Sequence, residues 1–153
     1  MRRWTRERAG REGCEMKAGH VPGWAGGDAV VDVADFRGLE EYRQWLLMFR
    51  LLRDYPEGLI RSRGLARLPR IEARVRGSYY HGLVAEWRET LKDPDPDRLR
   101  SVALDVSQKG IDMRSIMPFA GVMGREDLMR VIGDSRNEWG KGFGIRRGPF
   151  AHR

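Results

Sequence analysis

A chain of 153 residues with 41% apolar content has material for one modest hydrophobic core and is expected to fold. Its single cysteine, Cys14, excludes an intrachain disulfide, which fits a reducing compartment. The longest unbroken apolar run, Trp45 to Phe49, is far short of the ~20 residues of a membrane span, and residues 1–13 lack the apolar stretch of a signal peptide, so a soluble, cytoplasmic protein that does not engage membrane is expected.

Residues 1–27 read as a flexible basic N-terminal arm, without sustained periodicity and containing Pro22-Gly23 and Gly26-Gly27. Met16 offers a second start. The segment Ala29 to Phe36 is short and β-branched, suited to one strand or to an extended lead-in, and a lone strand would have no partner. The first helix is predicted from Asp35 or Gly38 to Asp54. Leu39, Tyr42, Trp45, Leu46, Phe49 and Leu52 recur there at three- and four-residue steps, forming one apolar stripe. Glu40 and Glu41 early and Arg50 and Arg53 late complement the helix dipole.

Leu59 to Leu68 reads as a short helix. Proline disfavours helical geometry in the residue before it, so Pro69 is expected to open a new helix over 69–91. Its stripe would be Ile71, Val75, Tyr79, Leu83, Trp87 and Leu91. Gly77 and Gly82 mark a close contact or a local break. Next, Asp95 as N-cap and Pro96 at the first helical position announce a helix start. Leu99, Val102, Ala103 and Val106 form its predicted buried face, and Gly110 its stop. Ile111 to Pro118 is expected to connect to a last short helix, Arg125 to Ile132, ended by Gly133. The predicted architecture is an all-α, compact bundle of four to five helices over 28–133. It is flanked by flexible basic arms, the second being the Gly/Arg-rich tail 134–153.

The net charge of +7 is unevenly placed. The densest block carries Arg61, Arg63, Arg67, Arg70, Arg74 and Arg76, with Glu72 as its only acid. The spacings of 4, 3 and 4 from Arg63 through Arg67 and Arg70 to Arg74 would align four guanidiniums on one helix side. Such a row repels itself unless an anion meets it. A phosphate backbone answers that need by releasing condensed counterions; an acidic protein surface, or an acidic block of another copy of the chain, answers it too. Arginine's planar fork suits phosphate and carboxylate alike.

Tyr79, Tyr80 and His81 follow the block. Aromatic rings beside arginines are the means by which single-stranded nucleic acid is stacked. The stripe places Tyr79 in the core and leaves Tyr80 for stacking. In the tail, Lys141 to Ile145 resembles the opening of the RNP1 motif of RNA-recognition sheets. Ile145 and Gly148 stand where aromatics belong, however, and no β-rich domain surrounds them; only a loose assisting contact by Arg146 and Arg147 is retained. The histidines His20, His81 and His152 share no metal-ligand spacing with Cys14. Asp93, Asp95 and Asp97 lack the glycine and glutamate of a calcium loop, and no phosphate loop or nucleophile elbow occurs. The expectation is therefore a non-catalytic protein without metal or cofactor. It binds RNA or single-stranded DNA with low sequence specificity, or alternatively docks its arginine face on an acidic partner or on a second copy of itself as a homo-oligomer.

Overall fold

The computed structural model describes residue 31 and residues 33–141. These residues are all-α: six α-helices follow a short 3-10 turn, Val33–Asp35, and no strand occurs among them. The helices are α1 (Leu39–Asp54), α2 (Glu57–Arg74), α3 (Ser78–Lys92), α4 (Pro96–Ala103), α5 (Gln108–Ser115) and α6 (Arg125–Lys141). The 3-10 turn stands where sequence left a strand or a lead-in open. The helix count exceeds the expected four to five because one predicted helix divides into two.

The chain resolves into two units, the first made of residues up to Leu47 and from Arg125 onward, the second of Met48–Gly124. Helix α1 keeps its predicted bounds, and most of its stripe is consumed by packing: Tyr42, Trp45, Leu46 and Phe49 are buried, Leu39 and Leu52 half-buried, and Met48 and Leu51, outside the stripe, are buried as well.

In the first unit, the early part of α1 packs against α6. Phe36 tilts onto Tyr42 and Trp45 at 5.4 and 6.2 Å between ring centroids, and Tyr42 stacks near Trp139 at 6.3 Å. The Tyr42 hydroxyl donates to Glu138, and Arg43 Nε donates to Ser135 Oγ at 3.1 Å. These partners explain why α6 does not stop at Gly133 as the sequence suggested. An interior glycine costs about 1 kcal/mol relative to alanine. Contacts from Ser135, Glu138 and Trp139, all beyond it, outweigh that cost, because tertiary packing supplies most helical stability.

In the second unit, α2 runs without interruption through Pro69, which corrects the expected helix start there. Proline's fixed φ is itself helical; what it removes is one hydrogen bond. Ile60, Gly64 and Leu68, four residues apart, are all buried, and this continuous stripe packed against α3 holds the helix together across the defect. The break comes instead at Gly77, with φ of +90°, a conformation costly for residues bearing a Cβ. At Gly64 a side chain is crowded by α3 and by the segment after α5: a Cβ would lie 2.8 Å from both Leu91 Cδ1 and Phe119 Cε1. Around this contact lies the core. Trp87, fully buried, meets Phe119 edge-on at 5.3 Å and donates from Nε1 to the Met113 carbonyl at 2.9 Å.

Asp95 and Pro96 start α4 as predicted, the Asp95 carboxylate accepting from the Asp97 amide at 3.0 Å. The helix ends at Ala103 rather than at Gly110. Ser107 then caps α5, its hydroxyl accepting from the Gly110 amide at 3.3 Å. Val106, expected in the buried face, lies in the intervening turn and is exposed. Gly110 is inside α5 because the turn folds over it: a Cβ there would sit 1.9 Å from the Asp105 carbonyl oxygen. The corner is tied from within by Arg114, 1% exposed, whose Nη1 donates to the carbonyls of Ala103 and Asp105 at 3.0 and 2.7 Å.

Two glycine substitutions should therefore act in opposite directions. Gly110→Ala drives a methyl group into backbone and should destabilise by about 1–3 kcal/mol. Gly82→Ala meets nothing within 4 Å and should stabilise by about 1 kcal/mol. Urea unfolding followed by circular dichroism measures both, and equal midpoints for the two variants would contradict this packing.

Candidate nucleic-acid interface

Because α2 is unbroken, Arg63, Arg67, Arg70 and Arg74 lie on one side of a single helix, spanning about 17 Å at 1.5 Å per residue. Arg76 follows in the short connection to α3. Arg63, Arg70, Arg74 and Arg76 are exposed and Arg67 is half-buried. None of the five makes a hydrogen bond or ion pair with another described residue. Elsewhere in the described chain cations commonly have an acid at hand: Arg37 with Glu41, Arg53 with Asp54, Arg98 with Asp93 and Lys109 with Glu86, at 2.7–3.1 Å. The lone acid of the arginine block is itself engaged elsewhere, since Glu72 pairs with Arg88 of α3 at 3.1 Å.

Arg61, the first of the six candidates, stands apart. Its side chain is only 14% exposed and pairs with Glu57 at 2.7 Å. Nη1 donates to the carbonyls of Thr90 and Leu91 at 3.0 Å each, and Nη2 to the Asp95 carbonyl at 3.3 Å. It satisfies the open carbonyl end of α3 and ties α2 to it. Charge density alone grouped it with the others. The signal that marks it is the glutamate four residues earlier within one helix, a spacing that pairs the two; Arg76 has the same spacing from Glu72 but lies beyond the helix end.

The aromatic cluster is arranged differently from the expectation. Tyr79, expected in the core, is 52% exposed, while Tyr80 is half-buried. The stripe had been extended through residues 69–77, but α3 begins only at Ser78. Its buried face starts at Leu83 and Val84, so Tyr79 falls in a first turn that lies beyond the core. The Tyr79 hydroxyl donates to Asp112 Oδ2 at 2.7 Å, and its ring meets Tyr80 edge-on at 5.2 Å. His81 is exposed in the same turn. Arg146 and Arg147 lie outside the described residues. No group of three or more histidine, cysteine or acidic side chains suited to a metal ion occurs among the described residues, and none of their helices is long and apolar enough to cross a membrane.

No protein-family model matches this chain, and neither a curated protein nor a solved structure matches it significantly. Functional inference therefore rests on the site itself.

Two measurements check this geometry. Arg61→Ala leaves carbonyls of the α3 terminus without their charged donor and should cost about 1.5–3 kcal/mol. Arg63→Ala, which removes no such bond, should stay within about 0.5 kcal/mol of the parent protein. The bond to Asp112, helped by partial desolvation and by the charge of the same carboxylate, raises the Tyr79 phenol above its ordinary value of 10.0. The folded state thus holds this proton more tightly than the unfolded one. The contribution of the bond is complete below pH 10 and is lost as pH rises through the raised value. Ultraviolet titration should show one late-ionising tyrosine that moves earlier in Asp112→Asn; an unchanged profile would remove the hydrogen bond from this description.

Proposed function

We propose that this protein binds RNA or single-stranded DNA without catalysis and with low sequence specificity, using Arg63, Arg67, Arg70, Arg74 and Arg76. The observation that carries the reading is electrostatic: five arginines, four of them exposed, cluster on and beside one helix, and none pairs with an acid among the described residues. Like charges at i,i+4 repel by about 0.2–0.5 kcal/mol per pair. An external polyanion relieves that repulsion and gains counterion release in addition. Phosphate contacts fix position and carry little sequence information, which supports low specificity.

An acidic protein partner, or a second copy of the chain, would satisfy the same charges. An exposed apolar stripe on α1 would favour that alternative, but Trp45, Leu46, Met48 and Phe49 are buried. It is left with the arginines alone, for which phosphate is the more densely charged ligand.

Titration of a fluorescent 12-nucleotide oligouridylate across 50–200 mM salt tests the proposal. Five phosphate contacts on a single strand give a slope of log affinity against log salt near −3.5, or about 100-fold weaker binding over that range. Replacing Arg63, Arg67, Arg70 and Arg74 together by glutamate should abolish binding at 50 mM while leaving the circular dichroism spectrum intact. Absence of binding by the parent protein at low salt, or preference for polyglutamate over the oligonucleotide, would overturn the reading.

A further inference from the structure

The corner between α2 and α3 places an aromatic ring at the end of the arginine row. Arg74 closes α2, Arg76 and Gly77 form the connection, and Tyr79 lies in the first turn of α3. Tyr79 lies three positions after Arg76, so their Cα atoms are at most about 11 Å apart. A nucleotide carries its base on the same sugar as its phosphate, which makes this reach suitable for holding the phosphate at Arg76 and the base at Tyr79.

Tyr79 is built to present its ring. An exposed tyrosine ordinarily samples several rotamers, and ordering it costs entropy on binding. Here one end is fixed by the 2.7 Å hydrogen bond to Asp112, and the Tyr80 ring abuts it at an interplanar angle of 80°. Even so, 52% of the residue remains open to solvent. The hydroxyl bond reaches 33 residues along the chain to α5, so the ring is oriented by a separate element of the same unit as well as by Tyr80 of its own helix turn. A pinned ring with an open face beside unpaired guanidiniums matches the combination of aromatic platform and cationic track that holds unpaired bases.

Resting on the reading of the arginine row as a phosphate site, we propose that Tyr79 is a base-stacking residue and that the ligand is therefore single-stranded, with an unpaired base seated on the outer face of its ring. A base stacked within a duplex offers no free face to such a platform. Asp112 is the positioning residue that holds the ring.

The test compares three ligands of equal length on the full chain: the 12-nucleotide oligouridylate, an abasic sugar–phosphate 12-mer, and a 12-base-pair duplex. Stacking of one base on one aromatic ring predicts that Tyr79→Leu weakens oligouridylate binding about 5- to 150-fold. It should leave the abasic 12-mer and the salt slope unchanged. Tyr79→Phe keeps the π-face and should retain most of the affinity, which separates stacking from any loss of fold. Equal weakening of the intact and abasic oligomers, or no effect of Tyr79→Leu on either, would overturn the stacking role while leaving the arginine row as a phosphate site. Failure of all three ligands to bind the parent protein at low salt would overturn both.

Discussion

The absence of a side chain at residue 64 governs the second unit. With Leu91 of α3 and Phe119 of the segment after α5 each 2.8 Å from where a Cβ would be, α2 sits close against both. The buried stripe of Ile60, Gly64 and Leu68 thereby fixes the rotation of α2 about its own axis. Once that rotation is fixed, the 4, 3 and 4 spacing of Arg63, Arg67, Arg70 and Arg74 leaves them on a side that the core does not use. Arg61, on the opposite flank of the buried stripe, reaches the carbonyl end of α3. One packing constraint thus sorts six neighbouring arginines into one that builds the fold and five without a partner among the described residues.

The same sorting explains the differing roles of the acids. Glu57 serves Arg61 and Glu72 serves Arg88, so the only two carboxylates on α2 are both taken. Asp112 is turned to the Tyr79 hydroxyl and also accepts from Gln108 at 2.9 Å. The acids nearest the row therefore pair with cations outside it, and the Tyr79 ring is oriented by an acid on α5.

Much of the fold was legible in the sequence where signals were local and redundant. The bounds of α1 followed from its stripe and dipole charges, and the start of α4 from Asp95, Pro96 and Asp97, whose capping geometry is satisfied within three residues. Legibility failed where a single residue was read in isolation. Pro69, Gly110 and Gly133 were each taken as a boundary, yet each lies inside a helix because long-range packing outweighs a local preference. Gly110 was rightly singled out but for the wrong reason: the approach of the Asp105 backbone is a tertiary event with no periodic signature. The candidate site shows the same division. The arginine row was visible from spacing, whereas the exchange of places between Tyr79 and Tyr80 depended on where α3 begins. That in turn depended on the positive φ of Gly77.

The unpaired arginines also bear on how the molecule stands when nothing is bound. Each neighbouring pair along α2 repels its partner on the same helix by about 0.2–0.5 kcal/mol, so the unliganded helix carries an internal load that its packing offsets. Any anion that settles on the row lifts part of that load. If the row takes an anion as proposed, resistance to unfolding and occupancy of the surface become a single linked quantity, and sulfate or phosphate in the buffer would raise the melting temperature.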